Sequence, residues 1–158
     1  MSEFNDSYHV LTADSRDVAR LIRRSGRYGM ILSPSASSTR FIAFVVEGLD
    51  EAGGPSDAIV DHNEKILVHY SFSDEAGCWL RVFDGGDEIA DLPFETSLTG
   101  RDEPLAALRE TTRTHSLAVL LNRGVIDQET AVHLKVAARQ TDPRTVGLQV
   151  ATALVPYK

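Results

Sequence analysis

At 158 residues, 42 % hydrophobic and 25 % charged, the chain has the size and balance of one folded globular domain, which excludes a disordered or fibrous protein. Its formal net charge of −7 repels phosphate and argues against nucleic acid as a whole-molecule partner. Cys78 is the single cysteine, so an intramolecular disulfide and a cysteine-rich metal site are both excluded, and a reducing, cytoplasmic setting is expected. The acidic opening lacks the basic segment and apolar run of a secretory signal. No stretch reaches the roughly 20 apolar residues that span a bilayer, so no membrane partner is expected.

Residues 8–11 are predicted as a short strand. A helix follows to about Arg24, with Asp14 as its cap, Asp17 in the first turn where a carboxylate suits the dipole, and Gly26 as the left-handed stop. Residues 29–32 form a second strand, and Ser33 to Ser38 a polar loop. Residues 41–46 are nearly all apolar and read as a buried strand. Residues 49–63, with Gly53, Gly54 and Pro55, read as a loop holding at most one short helix.

The clearest signal follows. Ile66, Val68, Tyr70 and Phe72 alternate with Leu67, His69 and Ser71, and Cys78, Leu80 and Val82 alternate with Trp79, Arg81 and Phe83. Asp84, Gly85, Gly86 and Asp87 supply hairpin chemistry, because primed turns need positive φ. Residues 88–94 return as a third strand, and Pro93, which cannot donate to a ladder, marks it as an edge or as ending there.

Beyond Asp102 the pattern becomes helical. One helix runs to Asn122, with Thr111, Thr112 and Thr114 as a point where it could break. Asp127 caps a second helix to about Gln140, and Asp142 with Pro143 opens a third with Val146, Val150 and Leu154 on one stripe. The expected architecture is α+β: strand, helix, strand, strand, then a three-strand antiparallel meander, with the C-terminal helices packed on the sheet. Residues 1–158 form one domain, mainly sheet plus one helix over 1–98 and helical over 101–158. The run of residues 69–90, with the entry over residues 8–24, resembles small bacterial α+β proteins over about residues 8–90. That resemblance implies no activity and no catalytic residue.

The phosphate-binding patterns GxGxxG and GxxxxGK[ST] are absent, as are HExxH and GxSxG. His9, His62, His69, His115 and His133 are scattered; Glu129 and His133 share a helical spacing but have no third ligand. Cys78 is in phase with Leu80 and Val82 and is expected in the core, where a thiol behaves as a small hydrophobe. The acidic pairs Asp74 with Glu75, and Asp84 with Asp87 and Glu88, fall at hairpin turns that solvate them. No catalytic residue, metal site or cofactor is therefore assigned.

Two features could bind a partner. Arg16, Arg20, Arg23 and Arg27 fall on one helical stripe that suits phosphate or an acidic partner, although the solvated face of an amphipathic helix is the reading preferred. His69, Trp79, Arg81 and Phe83 share the side of the meander opposite Tyr70, Phe72, Leu80 and Val82. Aromatics and arginine are what interfaces favour, so that side is expected under the C-terminal helices, a second subunit or a ligand. The function expected is non-enzymatic binding or regulation through a protein partner or a homo-oligomer. The alternative is a small-molecule binder or enzyme with a pocket between the sheet and the C-terminal helices, near His69, Tyr70, Trp79 and Arg81. Nucleic-acid binding through Arg20, Arg23 and Arg27 ranks last.

Overall fold

In the computed structural model, which describes residues 4–32, 41–48, 54–95, 103–140 and 142–154, the chain runs β1 (Phe4–Leu11), α1 (Ser15–Arg24), β2 (Gly29–Leu32), β3 (Phe41–Val46), α2 (Asp57–Asp61), β4 (Ile66–Ser73), β5 (Gly77–Asp84), β6 (Asp87–Glu95), α3 (Glu103–Asn122), α4 (Gln128–Ala137) and α5 (Pro143–Leu154). All six strands join one antiparallel sheet in the order β2-β3-β1-β4-β5-β6. The class is α+β, as the pattern of elements predicts. No helix among the described residues is long and apolar enough to cross a membrane.

The meander pairs in the register that the alternation requires, with Val68 opposite Val82, Tyr70 opposite Leu80 and Phe72 opposite Cys78. On that face Val68, Phe72, Leu80, Val82 and Leu92 bury against Leu117 and Leu120 of α3, Ala131 and Leu134 of α4, and Val146 and Val150 of α5. On the other face Tyr8, Ile42, Phe44, Leu67 and Phe83 bury against Val18, Leu21 and Ile22 of α1 and against Ile59 and Val60 of α2. The C-terminal helices thus pack on the sheet as expected, and α1 and α2 lie on the opposite face.

Local chemistry sets the helix ends where the sequence places them. The Asp14 side chain accepts the Arg16 N–H at 2.9 Å, Asp127 accepts Thr130 N–H at 2.7 Å, and Asp142 accepts Thr145 N–H at 2.8 Å. Gly26 ends α1 with φ +69°. Asp102, the loop from Ser33 to Ser38 and the first part of the 49–63 loop lie outside the described residues. Two expectations change. α3 is continuous through Thr111, whose hydroxyl donates to the Ala107 carbonyl at 3.0 Å and so satisfies itself inside the helix. β1 begins at Phe4 rather than near Tyr8, because Phe4, Asn5, Asp6 and Ser7 pair with Ser73, Phe72, Ser71 and Tyr70 of β4. A ladder of long-range hydrogen bonds overrides the low strand propensity of Asn5 and Asp6.

α5 meets the sheet at Gly147. A Cβ there would stand 2.6 Å and 2.8 Å from two ring carbons of Phe72, and the Tyr70 hydroxyl donates to the Gly147 carbonyl at 3.2 Å. The close approach of helix to strand therefore depends on a missing side chain. Gly147→Ala should lower stability by about 1–3 kcal/mol despite alanine's better helix propensity, because the added methyl overpacks the contact. Urea unfolding measures this; an unchanged or raised midpoint would show that α5 is not seated on Phe72.

Candidate functional site

An open sheet has two edges, and each carries backbone groups that need partners. At β6 these are supplied by α3. The Ser116 hydroxyl accepts the Asp91 N–H at 2.9 Å, and the Arg113 guanidinium donates to the Pro93 carbonyl at 2.7 Å. Pro93 occupies an outward position where no N–H is wanted, so the sequence reading of β6 as an edge holds. Arg113 also stands 5.7 Å from the centre of the Phe94 ring. Burial lowers the Arg113 pKa, and the Pro93 carbonyl and the ring face compensate for lost water.

The β2 edge is built differently. Glu47 N–H donates to the Tyr28 carbonyl at 2.8 Å, which fixes residues 28, 30 and 32 as the positions bonded to β3. The backbone N–H and C=O groups of Gly29 and Ile31 consequently point away from the sheet. Among the described residues β2 pairs with β3 alone. Tyr28, Met30 and Leu32 alternate onto one face and are 78 %, 60 % and 40 % exposed. Ile31 turns the other way and packs on the α1 side of the sheet. Residues 28–32 hold neither a charge nor a proline, the usual protections of a free edge.

The four meander residues expected to bind do share a face, but not an open one. Phe83 is buried in the core beneath α1 and α2, and His69 is 2 % exposed. The His69 ring lies 4.8 Å from the Tyr8 ring, and its Nε2 is 3.2 Å from Oδ2 of Asp6. Only Trp79 and Arg81 reach the surface, both half-buried, with the Arg109 guanidinium of α3 5.8 Å from the indole centre. His69 and Phe83 lie on the side expected, opposite Tyr70 and Leu80, but the helices that cover Phe83 are α1 and α2 and not the C-terminal ones. Asp6, His69 and Ser71 share one face of β1 and β4, yet no hydrogen bond joins His69 to Ser71 among the described residues. That arrangement supplies a structural pair and not an activated nucleophile.

Two of the four stripe arginines, Arg16 and Arg20, are matched by carboxylates, as is the neighbouring Arg24. Arg16 bridges Asp14 at 2.9 Å, Arg20 and Lys65 lie 3.6 Å and 3.3 Å from Asp17, and Arg24 pairs with Glu64. Hydrogen bonds from Arg16, Thr12 and Arg24 hold Asp14, Asp17 and Glu64 below the ordinary carboxylate range. Arg23 is exposed on the last turn, while Arg27 lies beyond the end of α1 and past Gly26, so it is off the helical stripe.

Two clefts flank α5. One, of about 450 Å³, lies between α5 and β4 and is lined by Tyr70, Phe72, Arg144, Gly147 and Leu148. The other, of about 340 Å³, lies between α4 and α5 around Val136, Leu148 and Thr152. The first is the expected pocket between sheet and C-terminal helices. It takes in Tyr70 but not His69, Trp79 or Arg81, which stand on the opposite face. Burial, aided by Cys78, raises the Tyr70 hydroxyl, which remains a proton donor. Cys78 is buried and its thiol is pushed up to about 12, which removes the reactive thiolate. Among the described residues no three His, Cys, Asp or Glu side chains converge as a metal would require.

His9 makes stability depend on pH. It is 7 % exposed, its Nδ1 has no partner among the described residues, and burial, then His69, pushes its imidazole down to about 4. The unfolded chain takes up that proton near 6.5. Stability is therefore full above 6.5 and falls as the pH drops toward 4, by about 3 kcal/mol in all. Urea unfolding across this range should show the slope in the wild type and lose it in His9→Gln; parallel slopes would contradict it. Trp79→Ala should cost about 2 kcal/mol, less than for a fully buried tryptophan, through lost packing and the lost Arg109 contact. A stability unchanged by that substitution would show that α3 does not lean on the indole.

Comparison with known proteins gives no matching family model, no matching curated protein and no matching solved structure.

Proposed function

We propose that the chain is a non-enzymatic, cytoplasmic protein-binding protein that takes up a strand of its partner along β2. The observation that carries this is the contrast between the two edges of one sheet. β6 is closed by Ser116 and Arg113 and carries Pro93, whereas β2 presents the outward groups of Gly29 and Ile31 beside exposed Tyr28, Met30 and Leu32. An added strand meets such an edge with main-chain hydrogen bonds for affinity and alternate side chains for specificity. The non-enzymatic part is supported by the groups that could do chemistry: His69 is tied to Asp6, and Cys78 is buried with a raised pKa. The lone buried cysteine also suits a reducing compartment.

A second reading draws on the cleft of about 450 Å³ beside α5, a volume within the range of small-molecule pockets. One titration separates the two. A synthetic peptide of alternating valine and threonine, a strong strand former, is added while backbone amide shifts are followed by NMR. Docking on β2 should move the amides of residues 28–32 and of their ladder partners 43–47. No change there would contradict the proposal, and changes confined to Tyr70, Gly147 and Leu148 would favour the cleft.

A further inference from the structure

We infer that the strand received by β2 is the β2 of a second copy of this chain, paired antiparallel about a twofold axis through Met30. The inference rests on the reading of β2 as a docking edge and adds the identity of the occupant. It follows from the register of one strand. Residues 28, 30 and 32 use their backbone groups on β3, which leaves two N–H and two C=O groups at Gly29 and Ile31. Two such strands related by a twofold at Met30 place Gly29 opposite the partner's Ile31, and Ile31 opposite the partner's Gly29. Every outward group on both strands then finds its complement in four hydrogen bonds.

The side chains fit the same register. On one face Met30 meets the partner's Met30, and Tyr28 meets the partner's Leu32. All three apolar side chains that β2 and its entry leave exposed thus acquire apolar neighbours, the cross-strand pairing that stabilises sheets. On the other face each Ile31 lies beside a residue with no side chain, so nothing is crowded. Charge agrees as well: residues 28–32 carry none, so the axis brings no like charges together in a protein of net charge −7. A twofold interface needs a self-complementary surface, and β2 has one. The patch is small beside the roughly 1,200 Å² at which standard interfaces begin, so the dimer is reversible and forms as concentration rises.

A cysteine scan reads the register directly. Met30 lies at a position not hydrogen-bonded to the added strand, where paired Cα atoms approach to about 4.5 Å, within disulfide range. Met30→Cys should give a disulfide-linked dimer under mild oxidation, with buried Cys78 taking no part. Tyr28→Cys alone and Leu32→Cys alone should not cross-link, while a mixture of the two should. In sedimentation, Met30→Lys should weaken dimerisation by at least about tenfold, by facing like charges and removing apolar burial. Met30 is exposed, so both Met30 variants keep the fold. A chain that stays monomeric and uncross-linked at millimolar concentration overturns the inference, as does a dimer indifferent to Met30→Lys. If the valine–threonine peptide still docks on β2 in a monomeric chain, the second-copy assignment fails alone; if it does not, the docking reading fails too.

Discussion

β1 lies at the centre of the sheet and is bonded on both sides, to β3 through residues 8–11 and to β4 through residues 4–10. Tyr8 sits at that junction. Its ring stacks on Phe44 at 5.1 Å and lies against His69 at 4.8 Å, and its hydroxyl accepts the buried Ser56 N–H at 2.8 Å. One side chain therefore ties β1, β3, β4 and the start of α2 into one layer. Because the first strand fills the middle, the later strands must add outward on both sides. Among the described residues the sheet ends at β2 and β6, and no strand pairing joins these two edges.

How those two edges are finished decides what the surface can do. α3 serves both the core and the β6 edge: Leu117 and Leu120 bury against the sheet, while Ser116 and Arg113, on adjacent turns, reach the outward groups of Asp91 and Pro93. Each neutral hydrogen bond contributes about 1 kcal/mol net, with more for the charged Arg113. Their larger effect is exclusion, since a second chain cannot add where α3 already lies. With β6 sealed and both faces carrying helices, the edge left for a partner strand among the described residues is β2.

The sequence made the meander legible because a period of two places side chains on fixed sides, and Val68, Tyr70 and Phe72 do face Val82, Leu80 and Cys78. Pro93 likewise named its edge, since a missing N–H is a local fact. What local pattern could not give was the order of the strands. Nothing near Tyr8 says that it inserts between β3 and β4, or that Asp6 meets His69 across 63 residues of chain. Nor does local pattern say that α1 and α2, rather than the C-terminal helices, cover Phe83. A signal was present: Leu67, Trp79 and Phe83 make the second face of the meander apolar too, and an antiparallel sheet apolar on both faces needs cover on both. Residues 29–32 read as a strand, but the edge status of that strand depends on neighbours that only the fold supplies.

The unequal treatment of the two edges is tested most directly by amide hydrogen exchange at residue resolution across a range of protein concentration. The Gly29 and Ile31 amides should exchange rapidly in dilute protein and slow as concentration rises, while Asp91, held by Ser116, stays protected throughout. Gly29 and Ile31 amides as protected as Asp91 in dilute protein, or exchanging at the same rapid rate at every concentration, would contradict the account.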